Sequence, residues 1–97
     1  MLDFIFLMHD DATSSLSPDL WPPYLASLQA RGLFDGGSAI GPGATFRKQG
    51  EPGDLSGHLG GYIRVRAVDL AAARALLAGN PVFESGGTVE IRELPRS

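Results

Sequence analysis

Two histidines stand where proton transfer could be done: His9 in "MHDD" (8–11) and His58 in "GHLGG" (57–61). Imidazole is the side chain whose ordinary pKa lies near neutrality, so either residue could act as a general base. Asp10 and Asp11 beside His9 could orient such a ring or join it in binding a metal. Alternation along an extended chain sends His9 and Asp11 to one side and Asp10 to the other, so "HDD" alone cannot supply three convergent ligands. Adding His58 makes a two-histidine, one-carboxylate arrangement conceivable, although an acidic turn at a strand end is the commoner use of such residues. His58 has its own plain use, as a loop-end histidine bonded to backbone. Gly60 and Gly61 remove side chains where the next strand begins, so backbone or ligand can approach closely.

Other chemistries are excluded more cleanly. The chain has no cysteine, which removes disulfides, thiol catalysis and thiolate metal sites. The glycines of "GPG" (41–43) and "EPGD" (51–54) follow no strand-to-helix phosphate-loop pattern, and no nucleophile elbow is present. Eight basic residues are scattered against eleven acidic ones, for a net charge of −3, which gives no footprint for nucleic acid. No metal or cofactor is expected. The apolar start of the chain is too short to span a bilayer and carries Asp3, without the basic start or cleavage site of a leader, so the expectation is a cytoplasmic protein with no membrane partner.

These residues must be positioned by one domain, 1–97, since two cores would each be too small to fold unaided. "LDFIFLM" (2–8) reads as a strand with Leu2, Phe4, Phe6 and Met8 on one face and Ile5 and Leu7 on the other. A helix follows from about Pro22 to Arg31, with Trp21, Tyr24, Leu25 and Leu28 at the spacing of a buried stripe. Its prolines lie in the first turn and Gly32 is placed to end it. "LFDGGSAI" (33–40) is a second strand, and residues 41–57 form a loop or small hairpin around "ATFRKQ". Residues 59–67 make a third strand, with Ile63, Val65 and Ala67 opposite in facing to Tyr62, Arg64 and Arg66. Asp69 caps a second helix over "LAAARALLA", whose Leu70, Ala73, Leu76 and Leu77 line one side. "TVEIREL" (88–94) alternates as a fourth strand.

The order strand, helix, strand, strand, helix, strand predicts an α+β, ferredoxin-like βαββαβ domain with an antiparallel sheet. Its first and third strands are then central antiparallel neighbours, which brings His9 and His58 to one edge of the sheet. Tyr24 and Asn80 are assigned to the same edge, as a hydrogen-bond donor in a cleft and its neighbour; the plain use of Tyr24 is as a core aromatic. Two helices cover only one face, yet the first strand is apolar on both. Packing two sheets face to face in a homodimer would shelter the second face. Arg64, Arg66, Glu90 and Arg92 would surround that buried strip, as rim ion pairs across the dimer or as an anion site between the sheets, and Asp35 is expected to pair with a strand-three arginine.

The run "GGYIRVRAVDLAAARALLAGNPVFESGGTVEIREL" (60–94) resembles the C-terminal half of the YCII-related (YciI-like, DGPF-type) domains, with their "GGY" strand, alanine-rich helix ending in proline, and last strand after "GG". "LSPDLWPPYLASLQARGLFDGGSAIGPG" (16–43) resembles the family's first helix and second strand. The resemblance implies a dimeric α+β barrel, in a family whose members are mostly uncharacterised. It also implies a catalytic pair, a histidine on the first helix and an aspartate before the helix-ending proline. Those positions hold Tyr24 and Asn80 here, and "GDLSGHL" (53–59) stands in place of the "DGPF" segment. Two functions follow as expectations. One is a non-catalytic dimeric module binding a small organic ligand at the sheet edge, with Tyr24, Asn80, Gly60 and Gly61 around it. The other is a small acid–base enzyme on an apolar or aromatic metabolite, using His58 or His9.

Overall fold

A computed structural model describes residues 1–15 and 17–96. Strand β1 (Leu2–His9) is followed by a single 3-10 turn (Pro18–Leu20) and helix α1 (Trp21–Ala30). Then come strands β2 (Phe34–Ala39) and β3 (Leu59–Ala67), helices α2 (Leu70–Ala75) and α3 (Pro81–Glu84), and strand β4 (Val89–Leu94). The sheet order is β2-β3-β1-β4 and each neighbouring pair is antiparallel. This is the ferredoxin-like α+β arrangement, with β1 and β3 central as expected.

The period of two in β1 and β3 divides the sheet into two unlike faces. Phe4 lies opposite Val65 and Phe6 opposite Ile63, and together with Met8 this row floors the core. Tyr24 and Leu28 of α1, Ala73 of α2, and Leu76, Leu77 and Val82 close it from above. On the other face Ile5 lies between Arg64 and Arg92, and Leu7 between Tyr62 and Glu90. No helix among the described residues covers that face, and both aliphatics are half-buried. Asp35 pairs with Arg64 at 2.7 Å and with Arg66 at 3.2 Å, and Asp3 pairs with Arg96 at 2.7 Å. The anticipated pairing of Asp35 with strand three is therefore present, and it closes within one chain.

Local signals set the ends of the helices. Pro22 and Pro23 sit at the start of α1, where a missing N–H costs nothing. Gly32 stops it at φ 71°, with the Leu33 N–H turned back to the Leu28 carbonyl at 3.0 Å. Asp69 caps α2 by accepting from the Ala72 N–H at 2.8 Å.

Two expectations need correction. Helix α2 ends at Ala75, and Leu70, expected on its buried side, is exposed because the first helical position points off the sheet. The buried row is shifted toward Ala73, Leu76 and Leu77. Second, residues 81–84 form α3, a turn of helix that "Asn-Pro" announces: the Asn80 Oδ1 accepts from the N–H groups of Val82 and Phe83 at 3.0 and 3.1 Å, with Pro81 at the first helical position. Residues 41–57, expected as a loop or small hairpin, are a loop: they are exposed and carry no strand. A segment so rich in glycine and proline gains too little from pairing to offset its backbone entropy.

Candidate functional site

The end of β1 meets the start of β3, and there the two histidines come together. The rings of His9 and His58 lie 4.6 Å apart, centroid to centroid, at 69°. Backbone bonds fix both residues. The His9 N–H donates to the Thr88 carbonyl at 2.9 Å, and the His58 carbonyl accepts from the Asp10 N–H at 2.8 Å. A third group joins them from β4. His9 Nε2 is 3.2 Å from Glu90 Oε1, while Glu90 Oε2 accepts from Arg92 at 3.2 Å. The Arg92 guanidinium first, and His9 second, hold the Glu90 carboxyl below its ordinary value.

Glu90 lies on the bare face among ion pairs, as the sequence reading has it, paired with Arg92; its contact with His9 is what that reading lacks. The signal was in the register. Leu7 opposes Glu90 on β4, and His9 lies two residues along the same face of β1. The carboxylates of the "HDD" turn have other partners. Asp11 accepts from the Thr88 N–H at 2.7 Å and the Thr88 hydroxyl at 2.6 Å. Those two bonds, the hydroxyl's foremost, hold its carboxyl below the ordinary range.

Gly60 makes room for Asp10. The β1–β3 register slips at this point, Met8 opposing Gly61 but His9 opposing Leu59. Gly60 is left without a partner across the ladder, and a Cβ on it would collide with the Asp10 carboxylate. A Cβ on Gly61 would crowd the Ser38 carbonyl at 3.1 Å. Both glycines line a cleft of about 650 Å³ between α1 and the β2–β3 ladder. Its walls are mainly apolar, with Met8, Trp21, Leu25, Phe34, Ile63 and Val82; His9 and Asp10 supply polar groups at one side. His58 lies beside His9 but is not among the lining residues.

Tyr24 and Asn80 lie together deeper in the helical layer and do not line the cleft. The Tyr24 hydroxyl donates to the Leu76 carbonyl at 2.7 Å, and Tyr24 meets Trp21 edge to face. Burial pushes the Tyr24 phenol up. Asn80 is fully buried, its Oδ1 spent on capping α3, and its Nδ2 has no acceptor among the described residues.

A family model for the YCII-related domain matches residues 7–96. The chain belongs to the YCII-related domain family. No curated protein matches it. Within this YCII-related chain, the structure thus brings His9 and His58 together, adds Glu90, sets Gly60 and Gly61 in the cleft wall, and keeps Tyr24 and Asn80 in the core. No helix among the described residues is long and apolar enough to cross a membrane.

Proposed function

We propose that this YCII-related chain is a cytoplasmic homodimeric module that binds a small apolar or aromatic organic molecule in the cleft between α1 and β2–β3. One observation carries the reading: an opening of about 650 Å³ whose lining is mostly aliphatic and aromatic, with few polar groups at one edge. That balance is what small-molecule sites need, apolar area for affinity and a few fixed polar atoms for orientation. Gly60 and Gly61 keep the wall beside those polar atoms thin. Tyr24 contributes from behind by holding α1 against the turn that carries Leu76, and Asn80 by capping α3. The homodimer is supported by Ile5 and Leu7, half-buried on a helix-free face. Complete burial of such a side chain is worth roughly 1.5–3 kcal/mol.

A second reading rests on the 3.2 Å contact between His9 and Glu90. A carboxylate on Nε2 fixes the orientation of the ring, leaving Nδ1 for a proton from substrate. In this reading the same cleft belongs to an acid–base enzyme, with His9 as base and His58 as its neighbour.

Trp21 is the sole tryptophan in the sequence and lines the cleft, so its fluorescence reports occupancy directly. Titration with anilinonaphthalene sulfonate, an aromatic probe, is expected to quench Trp21 saturably with one site per chain. Leu25→Lys should abolish that quenching in protein that remains folded by circular dichroism. Saturable quenching that survives Leu25→Lys, or none in the unaltered chain, would overturn the cleft as a binding site. The paired variant His9→Ala/His58→Ala separates the two readings: unchanged affinity favours the binding module.

A further inference from the structure

We propose that His9, His58 and Glu90 form a binding site for a divalent cation of the zinc class, open at one coordination position. The three residues come from three separate segments: the end of β1, the loop before β3, and β4. Each offers one ligand atom, and those atoms all lie within 4.8 Å of one another. A four-coordinate zinc with bonds of about 2.0–2.1 Å needs its donors roughly 3.3 Å apart. The His9–Glu90 pair already stands at 3.2 Å. His58 is exposed, so turning its side chain brings the third donor in while its backbone stays bonded to Asp10.

The donor set selects the metal. Two imidazoles and one carboxylate suit zinc and its transition-metal neighbours, whereas calcium and magnesium require mostly oxygen. The arrangement around Glu90 is also suitable. Arg92 occupies Oε2 and leaves Oε1 directed at His9. Arg92 is mostly in solvent, so its charge is screened and opposes a cation only weakly. Asp11, whose two oxygens are bonded by Thr88, is not among the donors that converge here. Three protein ligands leave a fourth position for water or for a ligand atom, unlike the closed four-residue sets of structural zinc. Because His9 is also part of the cleft wall, the cation would lie at the margin of that cleft.

The chain has only two histidines, which makes the test direct. Imidazole nitrogen resonances of tag-free protein are recorded while zinc chloride is added, with stoichiometry read by calorimetry. The expected result is one zinc per chain and a shift of both histidine rings. His9→Ala, His58→Ala and Glu90→Gln should each weaken zinc at least tenfold, with Asp35→Asn unchanged as a control for surface charge. Cobalt(II) in the same site should give the visible bands of a four-coordinate ion. Absence of stoichiometric binding, a shift of one ring only, or affinity indifferent to all three substitutions would overturn the proposal. So would one zinc per two chains, since the site would then lie between copies. The ring resonances of the unaltered chain decide the matter even where a variant fails to fold.

Discussion

Strand β1 carries two rows of apolar side chains, and they meet different surroundings. Phe4, Phe6 and Met8 lie at 2%, 0% and 4% exposure beneath the helices. Ile5 and Leu7, one residue out of step, lie on the helix-free face between Arg64, Arg92, Tyr62 and Glu90. Both rows are apolar. What separates them is the presence of a second layer, so side-chain type alone does not define a core. The difference also assigns roles. The covered row holds the protomer together, and the bare row is the surface on which the proposed homodimer would form.

Substitutions across this divide are expected to differ in size and in what they disturb. Phe6→Ala should cost about 3–5 kcal/mol of unfolding free energy in urea, because it empties a packed site. Leu7→Ala under the same dilute conditions should cost much less; equal losses would break the comparison. Leu7→Arg should instead weaken self-association by about tenfold or more, roughly 1.4 kcal/mol, with the circular dichroism spectrum unchanged. Sedimentation equilibrium measures this. A monomer at every concentration in the unaltered chain would remove the second copy from the account. Asn80→Ala sharpens the contrast within the helical layer. Loss of the α3 cap should cost about 1 kcal/mol, read from the urea midpoint, and leave self-association untouched.

The smallest effect is the pH dependence of the bare face and its margin. Asp3, Asp11 and Glu90 all have carboxyls held below their ordinary values by partners in the folded chain. Groups depressed by folding stabilise the fold above their unfolded pKa, and that contribution drains away as pH falls through the lower folded value. Stability should therefore be flat from neutrality to about pH 5 and decline below about pH 4. Thermal melts of Asp3→Asn should show a shallower acid decline; an unchanged slope would show that Asp3 takes no part.

The sheet was legible because strands with a period of two and helices with end signals announce themselves locally. β3 over Leu59–Ala67 and the stop at Gly32 needed no tertiary information. The meeting of His9 with His58 followed from topology, since neighbouring antiparallel strands join one end to the other's beginning. Glu90 was harder. Its place beside His9 depends on the register between β1 and β4, which is set by packing and not by composition. A cleft beside Gly60 and Gly61 was anticipated, but its apolar lining was illegible for a similar reason: Trp21 and Leu25 read as a buried helical stripe, and only the placement of α1 against the β2–β3 ladder leaves a space among them. Tyr24 and Asn80 show the reverse, two polar positions whose capping and carbonyl bonds become visible once the turn at Leu76 is known.

The slipped register at Gly60 has a lasting consequence for how this molecule can vary. One surplus residue on β3 absorbs the change of phase before the aliphatic ladder begins. Insertions or exchanges upstream of it, through residues 41–59, can therefore remodel the rim without turning Ile63 or Val65 outward. Variation in what the pocket accepts is thereby uncoupled from the inheritance of a folded sheet.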